Sequence, residues 1–178
     1  MSTFADIKSK ARLPEKLVPL YLGSLQAEFE DLERQLDEER AKPNPGTLAS
    51  AGRTPEEIKL AEAIEDLRQE MQADVTVFRL RALPKGKWTS LMAKHPPRTE
   101  DREEGNAYNM ETGPIAAVAA CCVDPQMSVP EVEELVDEML TQGQWDALWS
   151  TVFYLNRRKF DVPSSVAASE ILRSSKRS

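Results

Sequence analysis

The chain has 178 residues, enough for one ordinary domain with an appendage and too few for two large domains. Hydrophobic residues make up 40% and charged residues 30% of the sequence, so the composition does not require disorder. The formal net charge of -7 argues against a nucleic-acid binder. No stretch approaches the roughly 18 consecutive apolar residues of a membrane-spanning helix, so we expect no membrane association.

Residues 1–74 are expected to form an N-terminal segment, 1–14, followed by an acidic helical hairpin, 15–74. Apolar side chains recur near helical spacing through residues 15–41. Thr54, Pro55 and Glu57 are typical of the start of a second helix, with Thr as its cap and Pro in its first position. The Pro- and Gly-containing residues 43–46 predict a turn between the two amphipathic helices.

Residues 75–162 predict a compact helical core domain. Alternation over 75–81 indicates one short strand or a small hairpin, so we expect a mainly α fold with at most this strand or hairpin near 75–82. Residues 99–105 are charged and predict a surface loop. We expect residues 75–175 to fold without the hairpin. The further predicted segments are helices over 85–94, 115–123, 128–140 and 144–155, and a basic C-terminal helix or tail over 163–178.

Charge is distributed along the chain in blocks of one sign. Residues 15–74 hold 15 acidic and 7 basic residues, whereas residues 75–98 hold six basic residues and no acidic one. Residues 112–156 hold seven acidic residues and no basic one. Such blocks either attract one another or a charged partner, or form solvated helix faces, and the sequence favours the second interpretation.

Patterns that carry catalysis or metal binding are almost absent. Cys121 and Cys122 are adjacent, which disfavours a disulfide between them, and we interpret both as buried structural residues. His95 is the only histidine, so a zinc site with four nitrogen or sulfur ligands is not expected. Neither a P-loop nor a dinucleotide-binding glycine motif occurs. The sequence therefore predicts a protein that is not an enzyme and holds no cofactor or metal.

The features that indicate binding are aromatic and basic. Trp145 and Trp149 share one helix face, and they either anchor the core or line a groove for a partner helix. Two basic clusters would dock an acidic partner or the acidic helices of the chain itself. The candidate partner-binding residues are Trp88, Trp145, Trp149, Lys85, Lys87, Arg157 and Arg158.

Several motifs follow one another in a recognisable order. Residues 78–88, FRLRALPKGKW, are followed by Leu91 and by HPPR at 95–98. Further matching segments are CCVDP at 121–125, GQWD at 143–146, LNRR at 155–158 and DVPS at 161–164. Over residues 75–175 the chain resembles the tail assembly chaperones of long-tailed phages, particularly phages of actinobacteria. Residues 108–111, YNME, depart from the more aromatic run expected there.

The resemblance implies a non-catalytic role in the cytoplasm of the infected host. Such proteins coat the long, helical tape-measure protein before the tail-tube subunits polymerise around it. The implied partners are therefore the tape-measure protein, the tail-tube protein as a further candidate, and other copies of the chain. The alternative is a structural virion component, such as a connector or tail-completion protein. The tryptophans would anchor the partner helix, and the basic clusters would steer its approach.

Overall fold

The computed structural model describes residues 2–42 and 53–159, which form eight helices and one three-stranded antiparallel sheet. This part of the chain is mainly helical, as the sequence predicts. The elements in chain order are α1 (Phe4–Lys10), β1 (Glu15–Tyr21), α2 (Gln26–Ala41), α3 (Pro55–Ala73), β2 (Val75–Arg81), α4 (Lys85–Ala93), α5 (Thr99–Glu103), α6 (Thr112–Cys121), β3 (Cys122–Asp124), α7 (Val129–Glu134), a π-helical turn (Leu135–Met139) and α8 (Gln142–Arg157).

Short polar motifs begin the helices that the sequence predicts. The Thr54 hydroxyl accepts a hydrogen bond from the Glu57 backbone N–H at 3.1 Å, and the Glu57 carboxylate accepts one from the Thr54 N–H at 2.6 Å. At the start of α7, the Glu131 carboxylate accepts a hydrogen bond from the Ser128 N–H at 2.7 Å. These contacts satisfy backbone donors that a helix end leaves unpaired. α3 begins directly after Thr54 and α7 directly after Ser128, so the predicted starts of both helices are confirmed.

The sheet has the strand order β1-β2-β3. β1 pairs with β2 over its whole length, from Glu15 opposite Arg81 to Tyr21 opposite Val75. The short strand β3 pairs with the other edge of β2. The predicted strand over 75–81 is confirmed, but the prediction of at most one strand or a small hairpin near 75–82 is wrong. β1 and β3 lie far from β2 in the sequence, and each forms a strand because it pairs with β2.

The prediction of one helix over residues 15–41 is wrong for its first part. Residues 15–21 form β1, and α2 begins only at Gln26. Val18 and Leu20 are each 7% exposed, because alternation along the strand places both on the covered face of the sheet. Strand formation depends on cross-strand packing and burial, so local helical spacing was a poor guide here.

Two other elements differ from their predictions. The predicted central helix over 115–123 ends early, because α6 stops at Cys121 and Cys122 pairs with Leu80 of the sheet. The predicted loop over 99–105 contains the short helix α5. This helix forms because Asp101, which is only 2% exposed, accepts a hydrogen bond from the Arg98 backbone N–H at 2.9 Å.

One hydrophobic core lies between the sheet and the helices that cover it. α6 and α8 contact each other, and both contact β2. Burial of one large apolar side chain stabilises a fold by about 1.5–3 kcal/mol, so this layer of side chains holds the fold together. The apolar side chains that are at most 2% exposed are Phe78, Leu80, Ala117, Val118, Cys121, Val132, Leu148 and Val152.

α2 and α3, which together we call the arm, extend from the sheet. Each has the other as its principal packing partner, and Leu67 is the only buried residue of the two helices. Tyr21 at the end of β1 pairs with Val75 at the start of β2. The arm is therefore an insertion between the two strands of a β-hairpin.

The two arm helices run in opposite directions. Leu36, near the end of α2, and Ile58, near the start of α3, line one groove of about 530 Å³. Phe29, near the start of α2, and Met71, near the end of α3, line a second groove of about 290 Å³. The predicted turn at 43–46 lies outside the described residues.

Close contacts hold the base of the arm. The Tyr21 hydroxyl accepts a hydrogen bond from the Leu25 backbone N–H at 2.8 Å. A Cβ atom at Gly23 would lie 2.5 Å from this hydroxyl oxygen and 2.7 Å from Oδ2 of Asp74. Glycine, which lacks a Cβ atom, therefore allows the chain to pass between these two side chains.

The position of β1 bears on the predicted domain division at residue 75. β1 belongs to the core through Val18 and Leu20, although it lies within the segment 15–74 that the sequence assigns to a helical hairpin. The division itself stays a prediction, but the sheet favours a core that includes residues 15–21. The predicted basic helix or tail over 163–178 lies outside the described residues.

Candidate partner-binding surface

α8 has one face in the core and one face that is largely aromatic. Leu148, Val152 and Leu155 recur every three to four residues and are buried against the sheet and α6. Phe153 and Tyr154 point away from this face, and each is 38% exposed. The same helix therefore stabilises the core and presents aromatic rings to solvent.

A row of side chains runs along the exposed face of α8. The Trp149 ring centroid lies 6.1 Å from that of Tyr108 in an edge-to-face arrangement, and 5.7 Å from that of Phe153. One turn further on, the Arg157 guanidinium lies 5.5 Å from the centroid of the Phe153 ring. These separations are in the favourable range for aromatic and cation–π pairs, so the row is preorganised.

Tyr154 and Arg158 form a second stacked pair beside this row. The guanidinium of Arg158 lies 4.8 Å from the ring centroid of Tyr154.

Tyr108 contributes an uncharged ring to the same surface. Burial raises the pKa of Tyr108, so its hydroxyl is neutral at physiological pH. We call the aromatic surface the set formed by Tyr108, Trp149, Phe153, Tyr154, Arg157 and Arg158.

The three candidate tryptophans have different environments. Trp88 is 8% exposed and packs in the hydrophobic core, so its position does not support the expected role as a surface anchor. Trp145 and Trp149 are partly buried, and both pack against the core from α8. Trp149 also contacts two rings of the aromatic surface, so it both packs against the core and supports that surface.

The fold brings the two basic clusters to the same end of the molecule. The Leu83 backbone N–H donates a hydrogen bond to Oδ1 of Asn156 at 2.8 Å. Lys85 follows Leu83 by two residues, and Arg157 directly follows Asn156. Lys85 and Lys87 are exposed on α4, and Lys87 lines a shallow cleft of about 470 Å³ between α4 and α6.

Three members of the aromatic surface were not among the candidates predicted from sequence. Phe153 lies four residues after Trp149, and Tyr154 lies four residues before Arg158, so helical spacing could have identified both. Tyr108 belongs to a different segment, and only the tertiary structure places it against Trp149.

The cysteines and the histidine have structural contacts. Sγ of Cys121 accepts a hydrogen bond from the Asn156 amide at 3.4 Å, and burial raises the pKa of this thiol to about 11. Cys121 is therefore a neutral thiol at physiological pH rather than a nucleophilic thiolate. Nδ1 of His95 lies 2.9 Å from the Thr112 hydroxyl. Within residues 2–42 and 53–159, no group of three or more His, Cys, Asp or Glu side chains could hold a metal ion.

None of the helices in the described ranges is long and apolar enough to cross a membrane. No family model, curated protein or solved structure matches the chain. Within the described residues, the features suited to binding a partner are the aromatic surface and the basic end of the molecule.

Proposed function

We propose that the chain is a non-catalytic tail assembly chaperone of a long-tailed phage. In this role it binds the tape-measure protein in the host cytoplasm and shields it until the tail tube forms, and the tail-tube protein is a further partner. The observation that carries the proposal is the aromatic surface, in which Phe153 and Tyr154 remain partly open to solvent. The sequence resemblance supplies the identity of the partner.

The physical requirement for such a chaperone is to cover apolar surface on a long amphipathic helix. Each Å² of apolar surface removed from water contributes about 25 cal/mol, and one aromatic side chain buries about 150–250 Å². An exposed salt bridge contributes only about 0–1 kcal/mol. Tyr, Trp and Arg are also the residues that dominate binding hot spots, so the composition of the aromatic surface suits this task.

The basic residues have a second role in the proposal. Arg157 lies over the Phe153 ring and Arg158 over the Tyr154 ring, and Lys85 and Lys87 lie at the same end of the molecule. Charges at the rim of an interface mainly increase the association rate and set the orientation. The amphipathic hairpin predicted for the arm is part of the same proposal, with the apolar stripes of α2 and α3 facing each other.

A pull-down of co-expressed tape-measure protein tests the proposal. We compare the wild-type chain, the double variant Phe153→Ser/Tyr154→Ser and the control Met139→Ser, whose side chain is 57% exposed outside the aromatic surface. Circular dichroism checks that all three are folded. Wild type and control should retain the partner at about 0.5 M salt, where the Debye length is only a few Å, and the double variant should lose it.

Three results would overturn this proposal. Wild-type binding that vanishes at about 0.5 M salt would indicate a contact made by charge alone. Equal binding by the folded double variant would exclude the aromatic surface. If the chain is instead found at fixed stoichiometry in purified phage particles, it is a structural virion component.

A further inference from the structure

α1 is a helix that buries none of its own side chains. A capping box between Thr3 and Asp6 closes its N-terminus, yet all seven of its residues are exposed. Phe4 is 79% and Ile7 58% exposed, and their spacing of three residues places both on one face. Isolated helices of this length are marginal in water, because most helix stability in proteins comes from packing an apolar face.

The groove between α2 and α3 combines apolar and acidic side chains. Its apolar lining residues are Leu36, Ile58 and Ala61, and Ile58 is 47% exposed. The groove measures about 530 Å³ and lies toward the end of the arm that is remote from the sheet. The charged side chains that line it are Glu57, Glu62, Glu65, Asp66, Arg40 and Arg53.

The charges of α1 and of the arm have opposite signs. α2 and α3 together hold thirteen acidic and four basic residues. Arg34, Lys59 and Arg68 form ion pairs within their own helix, and the acidic residues still exceed the basic ones by nine. α1 and the residues that follow it hold three basic residues against one acidic residue. These four are Lys8, Lys10, Arg12 and Asp6.

α1 cannot reach the arm groove of its own copy. The Pro14 carbonyl accepts a hydrogen bond from the Ala82 N–H at 2.9 Å, which fixes the chain at the end of the sheet away from the arm. β1 then spans about 20 Å to Tyr21, and Leu36 lies about 15 Å further along α2. The arm helices pack on each other rather than back along the sheet. Residues 11–13 and α1 together extend over only about 20 Å.

We propose that α1 of one copy binds the groove between α2 and α3 of a second copy. Phe4 and Ile7 contact the apolar lining of the groove, and the basic side chains that follow pair with its acidic residues. The two surfaces in this contact differ, so the copy that supplies α1 still has an empty groove, and the copy that supplies the groove still has an unbound α1. Each of these can bind a further copy. Head-to-tail contacts of this kind produce rings or open chains. The proposal does not depend on the proposed function.

Sedimentation of the full-length chain over a wide concentration range tests the apolar part of the contact. The double variant Phe4→Ser/Ile7→Ser changes no buried residue, so it should fold like wild type. Its self-association should be weaker by roughly tenfold or more, as expected for interface anchors. Met139→Ser, which removes a side chain as exposed as Ile7 from another surface, should associate like wild type.

Charge exchange tests the direction of the contact. One variant, Lys8→Glu/Lys10→Glu, has an acidic α1, and the other, Glu62→Lys/Asp66→Lys, has a more basic groove. Each variant alone should lose self-association, because α1 and the groove then carry like charges. An equimolar mixture should regain it, because the acidic α1 of one variant meets the basic groove of the other, and the reverse pair is also complementary.

Three outcomes would overturn this inference. Wild type could remain monomeric at every concentration, the Phe4→Ser/Ile7→Ser variant could associate like wild type, or the mixture of charge variants could fail to associate. The last two outcomes would indicate that another segment or surface mediates self-association. A failed pull-down of the tape-measure protein would not affect these measurements, so the two proposals fail separately.

Discussion

Asp101 orders the segment between α4 and α6. Its carboxylate accepts hydrogen bonds from the Arg98 backbone N–H at 2.9 Å and the Arg98 Nε at 3.0 Å, and from the Met110 N–H at 3.3 Å. A buried carboxylate is costly unless such partners satisfy it. This one side chain therefore explains why a charged segment that looks like a loop in sequence contains a helix.

The Asp101→Asn variant should lose stability in a pH-dependent way. Hydrogen bonds from the Arg98 side chain lower the pKa of Asp101 to about 2, whereas an unfolded chain has a value of about 3.9. The ionised carboxylate therefore stabilises the fold above about pH 4, and this contribution disappears as the pH falls through about 2. The Tm of the variant should be lower than that of wild type at pH 7, and the difference should shrink toward pH 2.

The exposed neighbour Glu103 provides the control for this measurement. Glu103→Gln removes a carboxylate from the same short helix without removing the contacts to Arg98 and Met110. Its Tm should stay close to that of wild type across the pH range. A Tm difference for Asp101→Asn that is the same at every pH would contradict the assigned role of the charge.

Cys121 and Cys122 should behave as inert packing residues. They are 0% and 3% exposed, so substitution of both by Ala should lower the free energy of unfolding by about 1–3 kcal/mol. A thiol reagent should label neither in the native chain and both after denaturation, and partner binding should survive the double substitution. Rapid labelling of the native chain would show that a thiolate is accessible.

At the scale of elements, β1 decides where the core begins. The sequence favoured a core that is self-sufficient from residue 75 onward, but β1 covers one whole edge of β2 and adds Val18 and Leu20 to the core. We therefore expect a chain that begins at Val75 to be insoluble or to unfold without cooperativity. Calorimetry and urea titration measure this directly.

The hairpin geometry supplies a matched control for the truncation. Leu22 and Asp74 are joined by a backbone hydrogen bond of 3.4 Å, so an Asn-Gly turn can replace residues 23–73 between them. This armless chain keeps β1 and the core, and it should unfold cooperatively. If instead the chain from Val75 folds and the armless chain does not, the arm belongs to the core and β1 does not.

At the scale of the whole molecule, the arm and the basic clusters lie at opposite ends of the sheet. The Gln144 amide donates a hydrogen bond to the Tyr21 carbonyl at 2.7 Å, so α8 begins near the base of the arm. Its other end lies beside the start of α4, about 24 Å away along a helix of 16 residues. The surface proposed for the tape-measure protein and the groove proposed for α1 are therefore separate.

The armless chain should separate the two interactions. It retains the aromatic surface but lacks the groove, so it should still retain the tape-measure protein in a pull-down and should be monomeric in sedimentation. The variant Phe153→Ser/Tyr154→Ser should show the reverse pattern. Loss of both interactions in the same folded variant would indicate one shared surface.

Features that depend on neighbouring residues could be predicted from the amino-acid sequence. The capping contact of Thr54 with Glu57 involves residues three apart, and Leu83-Pro84 begins two residues after the end of β2, so local patterns predicted the start of α3 and the strand over 75–81. The mainly helical character follows from the same local periodicity. Phe153 was also within reach of this reasoning, because it shares a helix face with Trp149.

Features that join distant segments of the chain depend on the tertiary structure. β1 is a strand because β2 pairs with it, and residues 122–124 leave the central helix because β2 offers a second edge. Trp88 fills the core while Trp149 supports an exposed surface, although the two have the same side chain. Burial and pairing depend on which segments meet in space, and neither hydrophobicity nor spacing along one segment contains that information.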